Sequence, residues 1–264
     1  MNLTQTYPIA RPATPVSLPI IGRTCPKTST ITPKSKTLAL LPLAIGEKIH
    51  AQLQPVSFKP GNTIYHPEDL IDYVYFPETC VASRLSLMED GSTVEIGIIG
   101  NEGIIGITTF VGATIAHNWT VVEIGGTALR IRAGAFRELL RTDNDLRSVV
   151  GNYYNSFFMQ VSQRAVCRSR HTLMEQLCSW LLMVKDRVPT NQLPLTHEAI
   201  ARRLGTRRAG ITVAANNLRK EEIIDYARGH IVICDYPKLE AFACECYNTL
   251  KSNLTYSFGG SLIQ

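Results

Sequence analysis

The stretch LTHEAIARRLGTRRAGITVAANNLRKEEII, residues 195–224, constrains the fold of this chain more than any other. Thr196 is a typical residue for capping the start of a helix, and Gly205 stands where a sharp turn needs a residue without a Cβ. After the glycine, apolar residues recur at helical spacing: Ile211, Ala214, Ala215 and Leu218. Two short helices joined at a glycine are the sequence form of a helix-turn-helix.

The same stretch is strongly basic, with six basic residues and no acidic one between Arg202 and Lys220. If the apolar stripe of the second helix is buried, the other side of that helix faces outward. A recognition helix presents its N-terminal end to the major groove, and paired arginine donors match guanine O6 and N7. The residues predicted to read DNA bases are therefore Arg207, Arg208, Gly210 and Thr212.

The sequence IIDYARGHIVI, residues 223–233, predicts two short strands around an Arg-Gly-His turn, which would form a wing beside the two helices. Contacts to phosphate are predicted for Thr196, Thr206, Arg219, Arg228 and His230. Arg202, Arg203 and Lys220 are candidates for phosphate contact or for plain exposure to solvent. The alternative is an ordinary helical hairpin with a solvated basic face.

The middle of the chain has a different texture. Residues 52–129 form short alternating runs separated by turn sequences such as Pro60-Gly61-Asn62, and no Lys or Arg occurs between Arg84 and Arg130. This pattern is typical of an antiparallel sandwich or barrel, and we interpret it as a β-roll.

After Ala133 the spacing of apolar residues becomes helical, and a further helix is predicted from about residue 172 to 187. The first long apolar stripe could pack on its own sheet, or it could pair with a second copy of the chain. The residues assigned to such a dimer helix are Leu146, Val150, Tyr153, Phe157 and Val161.

These features together resemble the Crp/Fnr family of transcription regulators over about residues 50 to 248. WLLMVKDRV and ACECY, on either side of the helix pair, resemble a subgroup that lacks the usual cyclic-nucleotide site. The resemblance implies an α+β fold: an N-terminal β-roll (double-stranded, jelly-roll-like) sensor domain, a long dimerisation helix and a C-terminal winged helix-turn-helix. It also implies a homodimer on double-stranded DNA, at pseudo-palindromic half-sites about one helical turn apart. RNA polymerase is an expected partner if the protein is an activator.

The predicted division of the chain follows from this resemblance and from the changes in texture. It comprises a flexible N-terminal tail (1–37), a cyclic-nucleotide-binding-like β-roll (38–141), a dimerisation helix (142–168), a winged helix-turn-helix (169–250) and a C-terminal tail (251–264).

In family members that bind cyclic nucleotides, a Gly-Glu pair holds the ribose and an arginine neutralises the phosphate. The motif GNEGIIG supplies the glycine-rich part, but the place of the arginine falls near Ala116 and His117. Burying a phosphate without a cation is costly, so we expect a structural turn and no response to cAMP. The residues of this degenerate effector cassette are Gly100, Glu102, Gly103, Gly106 and His117.

Seven cysteines occur without Cys-x-x-Cys spacing, which favours a reduced cytoplasmic setting and gives no zinc or iron–sulfur signature. Cys234, Cys244 and Cys246 are interpreted as buried thiols. The histidines are isolated and no catalytic motif is present, so the sequence predicts neither an enzyme nor a metal or other cofactor. No segment is apolar enough to predict a membrane contact, and no effector is identified. The alternative function is a sensor module whose helical C-terminal domain binds a protein partner rather than DNA.

Overall fold

The computed structural model describes residues 35–257. Its N-terminal part begins with two short helices, α1 (Lys36–Ala39) and α2 (Leu43–His50). Seven strands follow: β1 (Gln54–Phe58), β2 (Thr63–Tyr65), β3 (Tyr73–Pro77), β4 (Val81–Leu87), β5 (Thr93–Ile99), β6 (Trp119–Ile124) and β7 (Gly126–Arg132). A 3₁₀ helix, Ile107–Val111, lies between β5 and β6.

The seven strands form two antiparallel sheets, in the orders β1-β7-β3 and β2-β6-β4-β5. In the turn between β4 and β5, the Asp90 carboxylate accepts the backbone N–H of Ser92 (2.8 Å). Apolar side chains from both sheets and the following helices form one buried cluster, in which the rings of Phe76 and Phe136 lie 5.9 Å apart. This is the β-roll that the alternating runs predict.

Two helices leave the β-roll, α3 (Ala133–Thr142) and α4 (Asn144–Arg170). Helix α4 begins where the Asp143 carboxylate accepts the N–H of Leu146 (2.9 Å), and it ends before His171, whose backbone is extended. Its apolar stripe packs against the β-roll of the same chain. Four of the five residues assigned to the dimer seam are buried in the β-roll core and the fifth packs against it: Leu146, Val150, Tyr153, Phe157 and Val161.

Of the two arrangements that the stripe allows, the structure therefore shows packing on the chain's own sheets. The assignment of Leu146, Val150, Tyr153 and Phe157 to a dimer seam is wrong, because the β-roll core already removes them from solvent, whereas Val161 is only half-buried.

The C-terminal part contains α5 (Leu173–Lys185), α6 (His197–Leu204), α7 (Arg208–Lys220), α8 (Tyr236–Ala241) and α9 (Glu245–Ser257). Three short strands, β8 (Gln192–Leu193), β9 (Ile224–Ala227) and β10 (His230–Ile233), form a sheet in the order β8-β10-β9. Thr172 and Glu175 cap the start of α5 reciprocally. The predicted α+β class, with a β-roll, a long helix and a winged helix-turn-helix, is confirmed.

The predicted N-terminal tail lies largely outside the described residues and the predicted C-terminal tail lies half outside them, but the inner ends of both are structured. The Thr37 hydroxyl is buried and donates to the backbone carbonyl of Glu102 (2.7 Å), so the last residues of the predicted 1–37 tail belong to the β-roll. Residues 251–257 continue helix α9, so the predicted C-terminal tail is helical as far as Ser257. Within residues 35–257, no helix is both long enough and apolar enough to cross a membrane.

Candidate nucleic-acid interface

The turn between α6 and α7 has the geometry that the glycine predicts. The Thr196 hydroxyl accepts the N–H of Ala199 (3.1 Å) and starts α6. Gly205 has φ 58°, a left-handed conformation that residues with a Cβ rarely adopt. The N–H of Thr206 then returns to the carbonyl of Ala201 (2.9 Å), which closes the end of α6 and directs the chain into α7.

Helix α7 turns its apolar stripe inward, where it packs with α5 and α6. All four stripe residues are buried: Ile211, Ala214, Ala215 and Leu218. Arg207 precedes the first turn of α7 and Arg208 opens it, and both side chains are exposed. Among residues 35–257 neither guanidinium has an ion-pair partner, so the outward end of α7 carries two unneutralised cations.

Two other residues predicted to read bases are placed differently. A Cβ added to Gly210 would lie 2.8 Å from Cδ2 of Leu173, so Gly210 faces α5 and allows the two helices to approach closely. The prediction that Gly210 reads bases is wrong for that reason. Thr212 is half-buried, and its hydroxyl donates to the carbonyl of Arg208 (3.1 Å) while lying 3.2 Å from Nδ1 of His197.

The residues predicted to contact phosphate surround this end of α7. Thr196 is exposed and Thr206 half-buried, at the two ends of α6. Arg228, with φ 49°, is exposed at the tip of the β9–β10 hairpin. Nδ1 of the half-buried His230 lies 3.3 Å from the carbonyl oxygen of Arg228. Arg219 is half-exposed and forms a 2.9 Å ion pair with Asp225. A groove is lined by the start of α6, by Arg208 and by this hairpin. It therefore brings the cationic side chains of Arg208 and Arg228 to one opening.

Arg203 has a different role from the one expected of it. Its side chain is buried and forms an ion pair with the carboxylate of Glu123 on β6. It therefore joins α6 to the β-roll, and its assignment to phosphate or solvent is wrong. A second arginine supports the same junction, because Arg168 donates to the carbonyls of Leu204 (2.6 Å) and Arg203 (2.8 Å).

His197 lies directly behind the exposed arginines. Burial, followed by the nearby charge of Arg208, lowers the pKa of His197 below its ordinary value. Its ring stacks edge-on against Tyr226 at 4.6 Å, between the first turn of α6 and the hairpin. The imidazole is therefore neutral near pH 7 and adds no charge to the basic surface.

The glycine-rich cassette of the β-roll is also occupied from within the chain. The Glu102 carboxylate pairs with the guanidinium of Arg187, at 2.7 Å and 2.8 Å from its two nearest nitrogens. A Cβ on Gly100 would lie 2.7 Å from the same arginine side chain, and one on Gly103 would lie 2.5 Å from the Tyr153 hydroxyl. The segment is a tight structural turn held by the C-terminal part of the chain.

A small cavity lies beside the exposed His117 and is bordered by Gly106, and it has room for about one water molecule. Arg84 also lines it, so the expectation that this region lacks a cation is wrong. The sequence comparison missed Arg84 because it stands on β4 rather than at the position aligned with His117. Its Nε donates to Asn118 (3.1 Å), and its guanidinium lies 5.8 Å from the centre of the Phe157 ring.

One cluster was not predicted at all. Cys167 and His171, at the end of α4, lie beside Cys244 and Cys246, at the start of α9. Cys244 and Cys246 are buried as expected, whereas Cys234 is only half-buried and lies outside the cluster. The spacings Cys-x₃-His and Cys-x-Cys were the available signal, but they are separated by more than seventy residues.

Comparison with protein families assigns both halves of the chain. The family model of the Crp-like helix-turn-helix domain matches residues 175–242, and that of the cyclic nucleotide-binding domain matches residues 55–143. The chain belongs to the Crp/Fnr family of transcription regulators. Like other members it is a DNA-binding regulator, and its α6–α7 pair and hairpin lie within the matched helix-turn-helix domain.

Solved structures of Crp/Fnr regulators share this fold at low sequence identity. FixK2 from Bradyrhizobium japonicum is 15% identical, with a TM-score of 0.64 over 73% of this chain and 98% of that one. A CRP-family regulator from Thermus thermophilus is 17% identical, with a TM-score of 0.61 over 71% and 96% of the two chains. A CRP/FNR-family regulator from the same organism is 19% identical, with a TM-score of 0.58 over 72% and 98%. Comparison with curated proteins finds no similar sequence.

Proposed function

We propose that this Crp/Fnr regulator binds a pseudo-palindromic DNA site as a homodimer, with one α7 helix of each protomer in the major groove. The observation that carries this proposal is the outward end of α7, where Arg207 and Arg208 are exposed and have no carboxylate partner among residues 35–257, while the opposite stripe is buried. Paired arginine donors at this end of a recognition helix fit guanine O6 and N7.

The proposed contacts divide by role. Arg207 and Arg208 reach base edges, and Val213 and Asn216 lie further along the same exposed face of α7. Thr196, Thr206, Arg228 and His230 contact the backbone of the same half-site. Arg219 keeps this assignment as well, although Asp225 already neutralises part of its charge. Thr212 supports the site from behind, since its hydroxyl is engaged with His197 and the backbone of α7.

The dimer seam is proposed on the face of α4 that points away from the β-roll. Phe158 and Val166 expose more than half of their side chains there, so two large apolar residues face outward from the same part of α4. The exposed Ser162 and Ala165 lie between them at helical spacing, and such small residues allow two helices to approach. Pairing along this face would cover the two apolar side chains and leave the β-roll contacts intact.

We also propose that the regulator does not respond to cAMP. The carboxylate expected at the ribose is held by Arg187, and the remaining cavity is too small for a nucleotide. Freeing the Glu102 carboxylate for a ribose would break a buried ion pair and leave Arg187 without its partner, which is costly. We assign the protein no catalytic activity, and contact with RNA polymerase is expected only if it activates transcription.

Selection of bound sequences from a random DNA pool tests this function, with purified full-length protein and no added effector. We expect enrichment of two inverted half-sites with centres about 10 base pairs apart. Enrichment of a single half-site would refute the dimeric arrangement. Recovery of the pool without any enriched sequence would refute sequence-specific binding by the protein as purified.

A further inference from the structure

Four potential metal ligands meet where helix α4 ends and helix α9 begins. Cys167 and His171 come from the end of α4, and Cys244 and Cys246 flank the first residue of α9. One ligand atom from each residue can be chosen so that all four lie within 4.8 Å of one another. Three thiols and an imidazole form one of the ligand sets that structural zinc sites use.

Two of the separations between ligand atoms match those of a tetrahedron around a single ion. With Zn–S near 2.3 Å and Zn–N near 2.0 Å, tetrahedral geometry places two sulfurs about 3.8 Å apart and a sulfur and nitrogen about 3.5 Å apart. The Sγ atoms of Cys167 and Cys244 are 3.6 Å apart, and Cys246 Sγ lies 3.5 Å from His171 Nδ1. The distance between the Sγ atoms of Cys167 and Cys244 is too long for a disulfide bond and suits two ligands of one ion.

The groups around the cluster orient it as they would around a metal. The Nε2 atom of His171 lies 3.1 Å from the Glu245 carboxylate, which fixes the proton on Nε2 and leaves Nδ1 free to coordinate. Gln163 Nε2 donates to Cys246 Sγ (3.1 Å), and the Ser179 hydroxyl lies 3.1 Å from Cys244 Sγ. Such hydrogen bonds stabilise thiolates more than thiols.

A divalent cation at the cluster would deprotonate the coordinating thiols outright. Three thiolates and a neutral imidazole around Zn²⁺ leave a net charge of about −1 on the site.

We propose that Cys167, His171, Cys244 and Cys246 bind one Zn²⁺ ion that ties the end of α4 to α9. Sulfur-rich tetrahedral coordination selects zinc over magnesium, calcium or manganese, which prefer oxygen ligands. With four protein ligands the coordination sphere is closed, so the ion is structural and holds no substrate. It fixes the C-terminal helix of the DNA-binding part to the long helix on which the proposed dimer seam lies.

The first test measures the metal content of full-length protein purified under reducing conditions without a polyhistidine tag. We expect about one zinc per chain by mass spectrometry of the elements. Replacement by Co²⁺ should produce the intense visible absorption of a tetrahedral cobalt–thiolate site. Cys167→Ser and Cys246→Ser should lose the metal, whereas Cys234→Ser, which alters a cysteine of the same domain outside the cluster, should retain it.

A second variant guards against a ligand substitution that simply unfolds the domain. The Glu245 side chain is 77% exposed, so Glu245→Gln leaves the packing intact while weakening its contact with His171. We expect this variant to keep its circular dichroism spectrum and to bind zinc about 10- to 100-fold more weakly in competition with a chelator.

Three results would overturn the proposal. The first is protein that contains no metal and takes up no Zn²⁺ when it is added. The second is equal zinc in Cys246→Ser, Cys167→Ser and the unmodified protein. The third is a covalent Cys167–Cys244 disulfide in protein kept under reducing conditions, which would make the cluster a redox pair instead. None of these results would bear on DNA recognition by α7.

Discussion

At the scale of single residues, the direction of each side chain on α7 decides its role. The periodicity of the apolar residues correctly predicts which residues are buried, and the exposure of Arg207 and Arg208 follows from it. Gly210 escapes this reasoning because a glycine has no side chain to reveal its direction. Only the distance to Leu173 shows that it lies against α5.

Arg208→Ala tests the assignment of base reading. We expect specific binding to weaken by about 1–3 kcal/mol and base preference to relax at one position per half-site. Arg228→Ala should instead weaken binding to all sequences more evenly, as loss of a phosphate contact does. Arg141→Ala, on the exposed surface of α3, is the matched control and should bind normally. Equal losses of Arg208→Ala on specific and random duplexes would contradict the assignment.

The pH dependence of stability tests the environment of His197. Its pKa is lowered in the folded protein, so the unfolded chain binds the proton more readily. The stabilising contribution of neutral His197 is therefore present above its pKa in the unfolded chain, about 6.5, and is lost as the pH falls through its pKa in the folded protein. Urea unfolding should show that His197→Gln loses less stability than the unmodified protein between about pH 7.5 and about pH 5.5. Parallel losses in the two proteins would contradict this.

At the scale of elements, the sequence predicts which helices and strands form better than it predicts what they contact. The helix boundary predicted near residue 172, the cap at Thr196 and the glycine at 205 correctly mark the start of α5, the start of α6 and the end of α6. The stripe on α4 shows that one face is buried, but the same spacing suits a sheet of the same chain or a second helix. That choice depends on tertiary packing, which periodicity does not encode.

Phe158→Glu tests the proposed dimer seam. A carboxylate on each protomer at a twofold contact would be buried beside its copy, so we expect conversion to monomers in analytical ultracentrifugation. Leu43→Glu is the control, because Leu43 is a similarly exposed apolar side chain on α2. The fold of the protomer should be unchanged in both variants. A Phe158→Glu protein that sediments as a dimer at all concentrations would place the seam elsewhere.

At the scale of the whole molecule, buried ion pairs join the β-roll to the helices that follow it. The Glu95 carboxylate forms an ion pair with Arg164 of α4 (3.1 Å) and accepts a hydrogen bond from the indole N–H of Trp180 on α5 (2.9 Å). Two further carboxylates of the β-roll, Glu102 and Glu123, form ion pairs with arginines of the C-terminal part, Arg187 and Arg203. These partners lie 69 to 85 residues apart in the sequence, and pairing at such distances leaves no local pattern. The cysteine–histidine cluster could not be predicted from the sequence for the same reason, since its two halves are also far apart in the chain.

Glu123→Gln tests whether these pairs hold the DNA-binding part on the β-roll. The substitution leaves Arg203 buried without its counter-charge, so we expect the free energy of unfolding to fall by about 3–5 kcal/mol. Glu138→Gln is the matched control, because its pair with Arg141 is exposed and such pairs contribute little to stability. Chemical denaturation of the two variants makes the comparison. Equal effects would show that the Glu123 pair is not a buried junction in solution.

The central claim is that two copies of α7 read one DNA site, and the ratio of specific to non-specific affinity tests it most directly. Binding of full-length protein to its selected duplex and to a random duplex of equal length is measured at one salt concentration. We predict a margin of at least about 1,000-fold, with two chains bound per selected duplex. Equal affinity for both duplexes, falling together as salt is raised, would mean that the arginines of α7 contact only phosphate and would contradict the claim.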